Sequence, residues 1–203
     1  MEDEDDLALL DRWRAGDKGA GTRLFRRHLE AVHRFFATKA AADAVDELVQ
    51  ETFLACLRKR DQFRGDSSFR TFLFGIARFE LYSHWRQRRN VEIPVDFDEV
   101  SVTSLSTSVG TKLARHEGRV RMLDALRALP LEQLLLLELA YWEKLDGAEL
   151  AAVFEVEPAT IRSRLFRARD ALRALIERGE EDGLIASATD DFDAWIRAVR
   201  DGG

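Results

Sequence analysis

Asp43-Ala44-Val45-Asp46-Glu47-Leu48-Val49-Gln50-Glu51-Thr52-Phe53-Leu54-Ala55-Cys56-Leu57-Arg58-Lys59-Arg60 contains neither proline nor glycine, so nothing in it breaks a helix. At 100° per residue, Val45, Leu48, Val49, Thr52, Phe53 and Cys56 fall on one side, and Glu47, Gln50, Glu51, Leu54 and Arg58 on the other. The spacing predicts one amphipathic helix with a core side and an acidic outer side carrying one apolar residue. By itself that outer side reads equally as a solvated surface or as a docking face.

Helices are predicted on both sides of it. Upstream, Leu24, Phe25, Leu29, Val32, Phe35 and Phe36 recur at helical spacing. Downstream, Phe63-Arg64-Gly65-Asp66-Ser67-Ser68 reads as a loop, because glycine, aspartate and serine favour turns. The apolar run from Phe69 to Ile76 predicts a central buried helix that continues into the basic end Arg86-Gln87-Arg88-Arg89. The composition then changes. Residues 91–112 carry Pro94, the acids Glu92, Asp96, Asp98 and Glu99, and a Ser/Thr-rich run from Ser101 to Ser108, with no helical stripe. We read them as an extended acidic linker between two small domains, 7–90 and 113–178, followed by an acidic tail over 179–203. The fold class expected is all-α.

In the second domain, Asp146-Gly147-Ala148-Glu149 has capping-box spacing, with aspartate in place of serine or threonine. The short helix it opens ends near Phe154, and Pro158 suits the first turn of the next. Two helices so joined predict a helix-turn-helix. On the wheel of the second helix, Ile161, Leu165, Ala168 and Leu172 group together, while Ser163, Phe166 and Arg167 lie opposite, flanked by Arg162 and Arg164. Arginine can pair twice with guanine, an apolar group can meet a thymine methyl, and a helix N-terminus can hold a phosphate. The surface reads as a major-groove recognition helix.

Charge distribution agrees with two anion-binding surfaces. The net charge is −6, which argues against coating DNA by bulk attraction. Yet Arg58–Arg89 holds nine Lys/Arg against three Asp/Glu, and Ala159–Arg178 six against two. The acidic start Met1-Glu2-Asp3-Glu4-Asp5-Asp6 is the opposite of a signal peptide, and no stretch of about 18 apolar residues suggests a membrane span. A cytoplasmic protein without membrane insertion is expected. The lone Cys56 allows no internal disulfide or cysteine-based zinc site. His28 and His33 are five apart and do not share a helix face. No catalytic, metal or cofactor site is expected.

Asp46-Glu47-Leu48-Val49-Gln50-Glu51-Thr52-Phe53 resembles the region-2 helix of bacterial sigma factors. Phe63-Arg64-Gly65-Asp66-Ser67-Ser68-Phe69-Arg70-Thr71-Phe72-Leu73-Phe74 resembles the stretch that follows it in the extracytoplasmic-function (ECF) subfamily of the sigma-70 family. Thr160-Ile161-Arg162-Ser163-Arg164-Leu165-Phe166-Arg167-Ala168-Arg169 is similar to that group's region-4 recognition helix. The three stand in the family's order and separation.

The resemblance implies a transcription initiation factor. Asp46, Glu47, Gln50, Glu51 and Leu54 would dock on the clamp coiled coil of core RNA polymerase, with the polymerase flap a further partner. Arg64, Asp66, Ser67 and Ser68 would receive a flipped base of the promoter −10 element. Phe79, Tyr82 and Trp85 would stack on unpaired bases, and Arg70, Arg78, Arg86, Arg88 and Arg89 would hold phosphates. Thr160, Arg162, Ser163, Arg164, Phe166 and Arg167 would read the −35 element. The linker would lie in the polymerase's active-centre cleft and RNA exit path, and an anti-sigma protein would be a partner. Phe79 stands where members often have asparagine, Ser83 where an aspartate is frequent, and Glu80 is an unusual acid. All three bear on the −10 sequence preference, and none on the DNA-melting role. Glu155 replaces the usual turn glycine of the helix-turn-helix, which points to a turn of different shape. A stand-alone helix-turn-helix regulator would leave the docking face and basic loop without purpose. A helical nuclease would need a carboxylate cluster that the sequence does not assemble.

Overall fold

The helical periods become nine helices over the residues described in a computed structural model: 5–89, 97–105 and 124–181. The chain divides into two compact units, the first Met1–Glu92 with Ala151–Glu155 and the second Ile93–Leu150 with Val156–Gly203. Among the described residues there is no β-strand, only an isolated bridge between Ser101 and Pro130.

The first unit holds α1 (Asp6–Arg14), α2 (Lys18–Ala37), α3 (Ala42–Lys59), a 3-10 turn (Arg60–Gln62) and α4 (Phe69–Arg89). Asp17 caps α2 by accepting the Ala20 amide at 3.1 Å. Gly21 is required where α2 meets α1, because a Cβ there would come within 2.6 Å of the Trp13 ring. Leu24, Val32, Phe35 and Phe36 are buried, but Leu29 is 48% exposed, contrary to the sequence reading. It lies about 140° from Leu24 around the helix, outside the apolar stripe. Val45, Leu48, Val49, Thr52, Phe53 and Cys56 of α3 all face the core. Phe69, Leu73, Phe74, Ile76, Ala77, Leu81 and Trp85 of α4 do the same, each large apolar side chain contributing roughly 1.5–3 kcal/mol.

The second unit holds α5 (Val102–Leu105), α6 (described over 124–128), α7 (Leu131–Tyr141), the start of α8 (Gly147–Phe154) and α9 (Pro158–Glu181). Pro130 supplies no side-chain cap to α7. Two of the helix's first amides are satisfied instead by backbone: Leu131 N–H donates to the Val100 carbonyl at 2.9 Å and Glu132 N–H to that of Phe97 at 3.1 Å. Phe97 and Val102 are buried, and the Thr103 hydroxyl donates to the Arg127 carbonyl. Over residues 97–103 the expected extended linker is therefore a packed segment. Phe97, Val100 and Val102 were too few in an acidic, Ser/Thr-rich stretch to show a helical stripe. Residues 91–96 and 106–112 of that linker lie outside the described residues. So do residues 182–203. Ile161, Ala168, Leu172 and Ile176 form the buried face of α9, and the helix runs on to Glu181, past the expected start of the tail at Gly179.

Candidate nucleic-acid interfaces and docking face

The outer side of α3 is as the wheel placed it. Asp46, Glu47, Gln50 and Glu51 are exposed, and Leu54 is 37% exposed among them. Glu80 of α4 stands near Glu51. Burial, reinforced by the Glu51 charge, lifts its carboxyl above the usual range, against the pull of Arg58 and Lys59. Burial pushes the Cys56 thiol up to about 12, which suits packing rather than redox chemistry.

The loop between α3 and α4 is anchored at both stems. At its entry Phe63 is buried, 4.8 Å from the Phe72 ring and 6.4 Å from that of Phe69. At its exit the Ser68 hydroxyl accepts the Thr71 amide at 3.1 Å and meets the Thr71 hydroxyl at 2.7 Å, a helix cap. Between the stems Arg64 and Asp66 are exposed and Ser67 half-buried, with Gly65 at φ +81° making the turn. Ser68 thus has a structural duty besides any contact with a base.

The aromatics separate. Phe79 is 56% exposed. Tyr82 and Trp85 are 7% and 1% exposed, which corrects their assignment as base-stacking platforms: α4 turns both inward. Arg78 lies over the Tyr82 ring and donates to its hydroxyl at 3.3 Å, and Arg70 sits over Phe74. Arg86 and Arg88 are exposed at the basic end of the helix.

In the second unit Asp146 caps α8. Its carboxylate accepts the Ala148 and Glu149 amides at 2.8 and 2.9 Å, and the Glu149 carboxylate accepts the Asp146 amide at 3.0 Å. This is the reciprocal capping box expected. Glu155 adopts φ +55°, so the turn takes a left-handed residue without glycine, contrary to the expectation of a different shape. On α9, Arg162, Ser163 and Arg167 are exposed and Phe166 is 70% exposed. Thr160 is half-buried, its carbonyl accepting the Ser163 hydroxyl. Arg164 differs: its guanidinium turns to Glu132 of α7 at 3.9 Å, tying α9 to the unit rather than facing outward.

The family model for Sigma-70 region 2 matches residues 24–91, and that for Sigma-70, region 4 matches residues 119–172. Together they span more than half of the chain. The chain belongs to the ECF group of the sigma-70 family. The ECF RNA polymerase sigma-E factor of Escherichia coli strain K12 is 27% identical over 175 residues, covering 82% of this chain and 92% of that relative. That of Haemophilus influenzae is 27% identical over 181 residues, covering 85% and 95%.

Solved structures share the fold. The sigma factor RpoE in complex with the anti-sigma factor NepR from Bartonella quintana matches with TM-score 0.60 at 24% identity, over 77% of this chain and 96% of that one. CnrH in complex with the cytosolic domain of CnrY matches with TM-score 0.61 at 22% identity, over 86% and 97%. As a sigma factor, this protein is an RNA polymerase subunit for transcription initiation, and a stand-alone regulator is not favoured. No described helix is long and apolar enough to cross a membrane.

Sequence reasoning missed the contacts that hold the loop from a distance. Arg14, in the last turn of α1, donates to the Arg60 carbonyl at 2.6 and 3.2 Å and to the Phe63 carbonyl at 2.5 Å. Asp6, in the first turn of α1, meets Arg27 and His28 of α2, each at 2.6 Å. Burial alone would raise the Asp6 carboxyl, but these hydrogen bonds and charges outweigh it and hold it below its usual range. The partners lie 21 to 49 residues apart, and no local pattern announces them.

Proposed function

We propose that the outer side of α3, with Asp46, Glu47, Gln50, Glu51 and Leu54, docks on the clamp coiled coil of core RNA polymerase, and that the remainder of the first unit engages the −10 element. The loop with Arg64, Asp66, Ser67 and Ser68 receives a displaced base. Phe79 is the platform left for stacking, and Arg70, Arg78, Arg86, Arg88 and Arg89 hold the strand by its phosphates. Stacking contributes roughly 1–3 kcal/mol per base, so a few contacts help to hold an opened strand without ATP. In the second unit, α9 reads the −35 element through Arg162, Ser163, Phe166 and Arg167, with Thr160 at the helix N-terminus, while the unit approaches the polymerase flap. The linker over residues 91–112, apart from its packed stretch 97–103, runs through the active-centre cleft and RNA exit path. The protein catalyses no reaction itself, works in the cytoplasm, and is held in check by an anti-sigma partner.

The observation that carries this reading is an exposed acidic face with Leu54 at its centre on α3, in a chain whose basic surfaces lie elsewhere. A free DNA-binding protein has no use for it. The test is co-elution of the purified protein with bacterial core RNA polymerase on gel filtration. The wild type is expected to co-elute, and the Glu47→Ala/Gln50→Ala/Leu54→Ala triple variant to elute apart. Equal retention of both would remove α3 as the docking face.

A further inference from the structure

The recognition loop is short and its tip is exposed, so its shape depends on its stems. The exit stem is held locally by the Ser68 cap. The entry stem rests on the buried Phe63 ring and on a residue far away in sequence. α3 ends at Lys59, the chain passes through a single 3-10 turn, and the carbonyls of Arg60 and Phe63 face Arg14. A guanidinium is a rigid planar fork, so it can fix two carbonyls in one geometry. Here it fixes the residues four and one positions before Arg64. The Arg60 guanidinium in turn lies over the Trp13 ring at 4.9 Å, so the α1 end and the turn grip one another in both directions. At the other end of α1, Asp6 holds His28, and the His28 ring lies 5.5 Å from Phe69, the first residue after the loop. The N-terminal helix therefore touches the entry of the loop directly and its exit through one intermediary.

We propose that Arg14 is a positioning residue for −10 recognition: by clamping the Arg60 and Phe63 carbonyls it holds the loop 64–68 in the shape that receives a base, and so sets how well the holoenzyme distinguishes its −10 element from other sequences. The proposal rests on the reading of that loop as the base receptor. Arg14 touches no DNA in this scheme. Its effect is on selectivity for the opened element, and it leaves polymerase docking unchanged because the α3 face lies on other residues.

The experiment uses holoenzyme reconstituted from the full chain and core RNA polymerase. The probes are two fork-junction DNAs, one carrying a −10 segment selected from a randomised pool by the wild-type holoenzyme and the other a scrambled segment. Arg14→Ala is expected to bind core polymerase as the wild type does. Its preference for the selected fork over the scrambled one should fall about tenfold, the scale of losing hydrogen bonds from a charged donor. Arg14→Lys should recover part of that preference, since an ammonium can serve a carbonyl without the planar fork. Should Arg14→Ala not fold, as judged by circular dichroism, Arg14→Gln and Arg14→Lys carry the same comparison. Ser67→Ala and Arg64→Ala test the loop itself. If these loop variants lose preference while the Arg14 variants keep it, the positioning role is overturned and the loop reading stands. If the Arg14 variants lower the melting temperature but keep full preference well below it, Arg14 is structural only and the proposal fails. If neither set changes the preference, the loop is not the base receptor and both readings fall.

Discussion

The two surfaces proposed to meet DNA are held in shape by different means. In the second unit the reading surface is one side of α9, and the other side of the same helix buries Ile161, Ala168, Leu172 and Ile176. Backbone hydrogen bonds and that apolar face hold the outward side chains, so Phe166 can stand 70% exposed. In the first unit the reading surface is a loop, which has no internal ladder of hydrogen bonds. Its form is imposed by an aromatic floor of buried Phe63 and Phe69 with half-buried Phe72, a local cap at Ser68, and Arg14 reaching in from α1. A recognition helix carries its own scaffold, and a recognition loop borrows one.

The sharpest way to break this comparison is to make the same substitution in both places. Phe63→Ala removes the floor and should cost about 3–5 kcal/mol of stability, taking −10 binding with it. Phe166→Ala should change stability by less than about 0.5 kcal/mol yet weaken binding to a −35 duplex by roughly 1–3 kcal/mol. Urea unfolding and duplex binding on the two variants measure both axes. If Phe166→Ala unfolds the protein, or Phe63→Ala leaves it intact, the division between self-supporting helix and borrowed loop does not hold.

This division also explains what the sequence made legible. The wheel separated the core and outer sides of α3 residue by residue, and the capping box at Asp146 and Glu149 was readable because its partners are three positions apart. Information of that kind lies within one or two helical turns. The burial of Tyr82 and Trp85 did not follow from α4 alone, whose many aromatics leave more than one choice of buried side. The docking of Phe97 and Val102 against α7 was hidden in an acidic stretch with no period. The α1 clamp was hidden by distance, since an arginine in the last turn of a helix reads as a surface residue until its carbonyl partners, 46 and 49 positions away, are seen.

Asp6 offers a smaller and pH-dependent test of the α1 brace. Its folded carboxyl titrates below the ordinary value of 3.8, so the folded state binds fewer protons than the unfolded state just below that value. The stability it contributes is fully present above that pH and is lost as the pH falls through the lowered folded value. Asp6→Asn should therefore cost about 1 kcal/mol at neutral pH, less than a buried ionic hydrogen bond because the site is partly solvated. The gap between wild type and variant should close in acid below pH 3.8. A gap that stays constant down to the acid transition would mean that the charge of Asp6 is not what secures α1.

The smallest expected effect lies in the turn between α8 and α9, and it runs in the stabilising direction. Glu155 holds φ +55°, a region that costs a residue with a Cβ about 1–2 kcal/mol. Glycine removes that strain but gives up more conformational freedom on folding, an opposing cost of roughly 0.5–1 kcal/mol. The balance predicts that Glu155→Gly gains about 0.5 kcal/mol in urea unfolding. Binding to the −35 duplex should be unchanged, because the recognition side chains begin five positions later and their helix is already set by Pro158 and the buried Ile161. A gain in stability with unchanged binding would show that the turn only joins two self-supporting helices. A change in −35 affinity would mean that α9 depends on the turn for its placement, and that the second surface, like the first, is held from outside itself.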